Sequence, residues 1–398
     1  MSAFYFNPWD PEFRANPYPY YGALVDGPPK IIQLAGPIAL VARYADVHAV
    51  LRGHKDFSSV RPANLEISQR GPFAGALTML TSDPPVHTRL RRLVSRDFTP
   101  RRIAELEPRV RAITDDLLDK AARKGSLDVM ADVANVLPVM VIAELLGVPS
   151  ENYGKFKAWS DSVVAGGLGN TPAGSDLPAE FISATAELRA YFSEAIEQRR
   201  RNPGPDLVSA LVVAHDDAEA LSADELLALI LLLLIAGNET TTNLIGNGML
   251  ALMRNPDQLA LLRREPDLIT DAVEEIVRYD GPVQGTVRFA HNAAKLADVE
   301  IPAGAGIFLL LAAANHDPAR FPDPDRFDIK RDSNDHLGFG DGIHFCIGAP
   351  LARLEGAVAI GSMLSRFPHL AMADPDARLT YKGSFFLRGL AALPLAIG

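Results

Sequence analysis

The chain has 398 residues, 48% of them hydrophobic, and a formal net charge of −10. That acidic balance argues against general nucleic-acid binding. The longest apolar run, Leu226 to Ala236, is well short of the roughly 18 residues that suggest a membrane span. A single cysteine excludes an internal disulfide, and the N-terminus has neither the basic region nor the apolar run of a signal peptide, so a cytoplasmic protein without a membrane segment is expected.

The pattern predicts a mainly α fold with a smaller β region (α+β), in one domain over 1–398. The β-rich parts are expected mainly at 30–60, 283–302 and 379–397. Asn16-Pro17-Tyr18-Pro19 reads as a turn. Ile38 to Ala42 reads as a buried strand, and Tyr44 to Leu51 as a short helix with Val47, Val50 and Leu51 on one face. Residues 60–80 form an apolar loop containing Leu77, suited to packing on the core or lining a pocket. In the following helix His87 and Arg91, four apart, share a face. Six arginines between Arg89 and Arg102 make a basic patch, either an ordinary solvated face or a site for anionic groups. Helical patterns dominate 101–215, with a long loop at 166–178 of the kind often used as a lid.

A long helix is predicted next. Ser222-Ala223-Asp224-Glu225 is a capping box, and the helical pattern runs to Arg254, just before Pro256. At 1.5 Å per residue it spans about 45–50 Å. Its first half is apolar all round, which places it inside the protein. Gly237-Asn238-Glu239-Thr240-Thr241-Thr242-Asn243 interrupts that apolar surface. One account is a polar seam bonded to neighbouring helices. The other is a ligand site: Thr240 can bond back to the carbonyl of Ala236, bending the helix and opening its ladder.

A helix over Asp271 to Tyr279 carries Glu275 and Arg278 three apart, which alone would be a weak surface pair. Pro282 to Ile301 suggests strands, and Phe321 to Arg331 is rich in turns. Cys346 then sits among Gly340, Gly342 and Gly348, two residues after His344 and just before a helix with Pro350 in its first turn. A helix N-terminus favours a thiolate. Without a second cysteine a thiolate-rich zinc site is excluded. An inert thiol, a nucleophile served by His344 and a metal ligand all remain open on these residues alone. The tail from Leu379 to Ile397 reads as two short strands around Lys382-Gly383-Ser384.

Taken together, four stretches resemble the cytochrome P-450 family, specifically its soluble bacterial members. Phe339 to Gly348 matches the haem signature F-G-x-G-x-H-x-C-x-G at every fixed position. Ala236 to Thr241 matches A-G-x-[DE]-T-T, Glu275 and Arg278 match E-x-x-R, and Phe321 to Phe327 resembles the meander that carries a further arginine. The resemblance covers about Asn16 to Pro394. It implies a single-domain fold holding haem b between the long helix and the cysteine loop. Cys346 would be the iron ligand, with Ala236, Phe339, Gly340 and Gly348 against the haem. His87, Arg91, Arg288 and His344 would hold its propionates. Glu239 and Thr240 would be the acid–alcohol pair serving bound oxygen, and Glu275, Arg278 and Arg326 a structural triad. A hydrophobic substrate would be lined by Leu77, Leu232, Ile235, Val283, Gln284, Thr286, Phe385 and Phe386. The activity implied is a monooxygenase using O2 and electrons from a separate ferredoxin and ferredoxin reductase, working as a monomer. A peroxide-driven peroxygenase and a haem sensor or carrier are the competing readings.

Overall fold

The computed structural model describes residues 7, 10–33, 36–62, 73, 76–166, 177–216, 221–332, 334–382 and 386–398. Its organising element is the central helix, Ala223–Arg254. Ser222 accepts from the Glu225 N–H, and the Glu225 carboxylate accepts from the Ser222 N–H, so both halves of the capping box are formed. Those bonds satisfy donors that the first turn leaves open. Every residue from Leu226 to Ile235 is buried. This helix is long and apolar enough to cross a membrane, but 78% of its apolar window is buried inside the protein.

The central helix packs most extensively against the turn Val129–Ala134, the helix Leu137–Leu145, the ion-pair helix Ile269–Asp280 and the thiol helix Ala349–Arg366. The arginine helix, Val86–Ser95, buries His87, Leu90 and Val94. Tyr44–Arg52 buries the expected Val47, Val50 and Leu51. Asn16 to Pro19 joins two helices, Pro11–Ala15 and Tyr18–Val25; Pro19 lies in the first turn of the second, where its missing N–H costs nothing.

Among the described residues the β region consists of a five-stranded sheet and two small ones. Strands β1 (Lys30–Gln33), β2 (Pro37–Val41), β3 (Phe57–Ser58), β5 (Thr286–Ala290) and β8 (Gly306–Leu309) lie in the order β1-β2-β8-β5-β3. Only β2 and β8 pair in parallel. β8 falls beyond the expected 283–302; as the middle strand it is apolar throughout and lacks alternation. Strands β6 (Ala294–Leu296) and β7 (Val299–Ile301) form a hairpin. The third sheet joins β4 (Leu127–Asp128), β9 (Ala371–Met372) and β10 (Pro394–Ala396). Two-residue strands such as β4 and β9 carry no readable period, so the sequence did not announce them. The tail therefore differs from two paired strands. Tyr381 bridges Leu390, while the last strand leaves to pair with β4 and β9.

Candidate active site

The cysteine loop is held by its own backbone. The Cys346 N–H donates to the Phe339 carbonyl at 2.9 Å, and the Gly340 N–H donates to Leu337 at 2.8 Å. Gly342 has φ +66°, and a Cβ there would lie 2.6 Å from the Leu51 carbonyl. Only glycine lets the loop close on the helix Tyr44–Arg52. Asp341 accepts from Gly342 N–H and from His48 Nε2 at 2.9 Å. Gly348 caps the thiol helix, and Pro350 lies in its first turn.

The Cys346 side chain is exposed at the open side of this loop. Burial by surrounding protein still pushes its thiol up, against N–H bonds from Gly348 and Ala349 and the positive charges of Arg91 and Arg353. The N–H groups expected at the helix end, those of Gly348 and Ala349, are present beside the sulfur. A bound cation is what would hold the sulfur as an anion. Behind the loop Arg353 lies 4.6 Å from the Phe339 ring centroid and makes two bonds to Glu274, at 2.6 and 2.7 Å. Burial opposes ionisation of Glu274, but Arg353 and His336 hold its carboxyl at about 2.

The structure brings the four expected cationic residues together. His87 and His344 have ring centroids 4.3 Å apart. Arg91 donates to the Phe345 carbonyl at 2.7 Å, and Arg288 reaches this cluster from β5. Burial is the leading cause that lowers the proton affinity of all four; it brings His344 to about 3 and Arg288 to about 10. Among the described residues neither ring nitrogen of the buried His87 has a hydrogen-bond partner. Such donors are costly unless something accepts from them. Two residues of this cluster were missed in the sequence. Ser59 Oγ lies 2.9 Å from His344 Nε2, and Asp83 accepts from Ser58 Oγ and from the Ser59 N–H. Both are far from His344 in the chain and match no short motif.

On the central helix the polar stretch divides in two. Asn238 donates to Ser160 Oγ and Thr242 to the Ala134 carbonyl, so these residues are a buried seam. Ala236 is exposed, and Gly237, Glu239 and Thr240 are half-buried, in a helix otherwise closed on both sides. Thr240 Oγ1 donates to the Ala236 carbonyl at 2.7 Å, the expected back-bond. The helix continues through it without a break. Glu239 does not meet Thr240; its carboxylate accepts from Lys382 Nζ at 3.2 and 3.5 Å and from Asn243 at 3.3 Å.

Two expectations need correction. Glu275 and Arg278 form a fully buried bidentate pair, with bonds of 2.7 and 2.8 Å. The third member of that set is Arg331, whose Nε lies 3.3 Å from both Glu275 oxygens. Arg326 instead points to Asp328, and its side chain is 64% exposed; only its carbonyl joins the cluster, accepting from Arg278 and Arg331. Gln284 is not a pocket residue. It is buried, accepts from the Tyr21 hydroxyl at 3.0 Å and donates to the Gly281 carbonyl at 2.8 Å. Of the other pocket candidates, Leu232 and Ile235 are buried, Val283 and Thr286 are half-buried, and Leu77 is exposed. Phe386 packs edge-on to Phe308 at 5.6 Å, and Phe385 lies outside the described residues.

The cytochrome P450 family model matches residues 175–390. The vitamin D(3) 25-hydroxylase of Pseudonocardia autotrophica is 44% identical over 97% of this chain and 95% of its own length. The chain belongs to the cytochrome P-450 family. A second relative of this P-450, the monooxygenase PikC of Streptomyces venezuelae, is 44% identical over 96% of this chain and 92% of its own. Among solved structures, the P-450 PksS of the Bacillus subtilis bacillaene polyketide synthase superposes with a TM-score of 0.91 at 36% identity, covering 99% of this chain and 100% of that one. This P-450 is therefore an enzyme of the monooxygenase class with haem as its cofactor. The residues present fit that group. The sulfur is exposed at a helix N-terminus, and the orphaned His87 nitrogens sit in a cluster with His344 and the guanidinium groups of Arg91 and Arg288, a set suited to carboxylates.

Proposed function

We propose that Cys346 ligates the haem iron, and that this P-450 hydroxylates a medium-to-large hydrophobic molecule with electrons from NAD(P)H, passed through a separate reductase and ferredoxin. The observation that carries this is the exposed Cys346 at a helix N-terminus, together with unpartnered buried His87 nitrogens and a partly exposed polar stretch on the central helix. The reaction consumes one O2, two electrons and two protons for each C–H converted to C–OH, and releases one water. Haem on a thiolate supplies the activation of oxygen. His87, Arg91, Arg288 and His344 hold its two carboxylates, and Phe339, Gly340, Gly348 and Ala236 border it. Thr240 Oγ1 is half-exposed beside Ala236, and release of its bond to the Ala236 carbonyl would free the hydroxyl to donate toward the oxygen site. Glu239 supplies that relay from the solvent side. The half-buried Val283 and Thr286, with Leu77 and Phe386, form an apolar wall; the relatives' names, a vitamin D(3) hydroxylase and a polyketide-synthase P-450, support an apolar substrate of that size.

We assign the redox dock to Arg92, Arg96 and Arg102. Arg89 is bonded to Glu225 and Arg91 to the Phe345 carbonyl, whereas Arg102 pairs only with Glu105 of its own surface among the described residues, at 3.3 Å, and stays 59% exposed. The enzyme would act as a monomer, in one domain, in the cytoplasm. A screen of hydrophobic compounds for the haem spin-state shift identifies the substrate. Turnover with NADH, reductase and ferredoxin should then exceed turnover with H2O2; the reverse would favour a peroxygenase. Thr240→Ala should keep substrate affinity and lower product formed per NADH by about 10- to 100-fold, with electrons lost to H2O2. Unchanged coupling would remove Thr240 from the relay.

A further inference from the structure

We propose that Lys382 is a positioning residue for proton delivery, tying the Glu239 carboxylate to the C-terminal hairpin so that the hairpin's position sets where the carboxylate sits. This rests on the reading of Glu239 as the relay acid. Lys382 is the only cation paired with Glu239 among the described residues. Its Nζ lies 3.2 and 3.5 Å from the two carboxylate oxygens, and 3.5 Å from Asn135 Oδ1.

The hairpin stem explains why the lysine arrives there. The Lys382 N–H donates to the Gly389 carbonyl at 2.9 Å, and Ala391 N–H donates to Thr380 at 2.8 Å. That register places Gly389 against Asn243 of the central helix, where a Cβ would lie 1.8 Å from the amide oxygen. Asn243 is the other group that bonds Glu239, so the hairpin meets this acid twice: through Lys382 directly and through Gly389 on Asn243.

The opposite side of the hairpin is fastened to the segment that leads into β5. Leu387 bridges Val283, the Gln284 N–H donates to Phe386 at 2.8 Å, and the Arg388 N–H donates to Pro282 at 2.8 Å. Arg388 is locked in turn to Asp280 at 2.7 Å. One short hairpin thus connects the wall proposed for substrate, at Val283 and Phe386, with the acid proposed for the proton. The pair can open at modest cost. The Lys382 side chain is 31% exposed and Glu239 13%, so water reaches both ends. Lysine holds the carboxylate here as a single-point donor, a role that another cation at this position can also fill.

The test compares wild type, Lys382→Met, Lys382→Arg and Glu239→Gln as haem-loaded enzymes, with myristic acid as the apolar probe. Electrons from NADH are followed into product, H2O2 and water. Solvent isotope effect, probe affinity from the spin-state shift and H2O2-driven turnover are measured alongside. Lys382→Met should lower product per NADH about tenfold and raise the solvent isotope effect. Probe affinity and H2O2-driven turnover should stay within about twofold, because peroxide brings its own protons, and Lys382→Arg should restore most of the coupling. If Glu239→Gln is impaired but Lys382→Met matches wild type, the lysine has no role in positioning. An equal loss of H2O2-driven turnover and probe affinity in Lys382→Met would reduce it to a structural support and overturn the proposal. If Glu239→Gln is itself unimpaired, the reading of Glu239 fails first.

Discussion

The two sides of the proposed haem site are built to different standards. On the cysteine side the main ion pairs are held by two or more bonds each: Arg353 on Glu274, and Arg278 with Arg331 on Glu275. On the other side, Thr240 bonds its own helix, and Glu239 is held by one half-exposed lysine and a long amide contact. Leu77, proposed for the substrate wall, is itself exposed. The difference follows from the work each side does. A ligand that must keep one geometry through every cycle is served by preorganised bonds. A side that admits substrate and passes protons needs groups that can move, drawn from the less stable parts of a fold.

This contrast predicts how each side responds to substitution. Removing half of the Glu275–Arg278 pair leaves a fully buried charge, so Arg278→Leu should cost about 3–5 kcal/mol in chemical unfolding of the haem-loaded enzyme. A loss under about 1 kcal/mol would mean that the cysteine side tolerates slack.

The correction from Arg326 to Arg331 sets the next test. Arg331→Ala should destabilise by about 1–3 kcal/mol, because its guanidinium faces the same buried carboxylate. Arg326→Ala should fall within about 0.5 kcal/mol, since its carbonyl makes the contacts and survives the substitution. Equal effects would return Arg326 to the set.

Glu355, on the thiol helix, gives a smaller effect with a defined pH dependence. It is buried with Oε2 unpartnered, and burial raises its carboxyl to about 8. The unfolded chain loses this proton near 4.5, while the folded chain keeps it up to about 8. The group therefore costs nothing below about pH 4.5, and its cost grows as pH rises toward 8, by about 1.4 kcal/mol per unit. Glu355→Gln should be stabilised relative to wild type, more at pH 8 than at pH 5. A difference that is constant with pH would show that Glu355 finds a partner for its charge.

Much of this architecture was legible because its signals are local. The capping box and the apolar run marked the central helix, and glycine spacing with Pro350 marked the turn that presents Cys346. The Thr240 back-bond follows from a four-residue spacing. What escaped depends on tertiary register. Arg326 and Arg331 sit five apart in a segment without periodicity, and only the folded path decides which guanidinium turns inward. Gln284 looks like a pocket residue between apolar neighbours until the Tyr21 hydroxyl arrives from more than 260 residues away. Lys382 reads as a turn residue, and its reach to Glu239 exists only once Gly389 has docked on Asn243. Ser59 and Asp83 join the histidine pair in the same way. The β4, β9 and β10 pairing is too short to leave a pattern.

The central claim is that Cys346 binds the haem iron as a thiolate. It is tested most directly by the absorption spectrum of the reduced, CO-bound enzyme. A Soret band at the strongly red-shifted position of thiolate-ligated haem is expected, and it should be lost in Cys346→Ala. A band at the histidine-ligated position in the wild type, or one unchanged by Cys346→Ala, would contradict it.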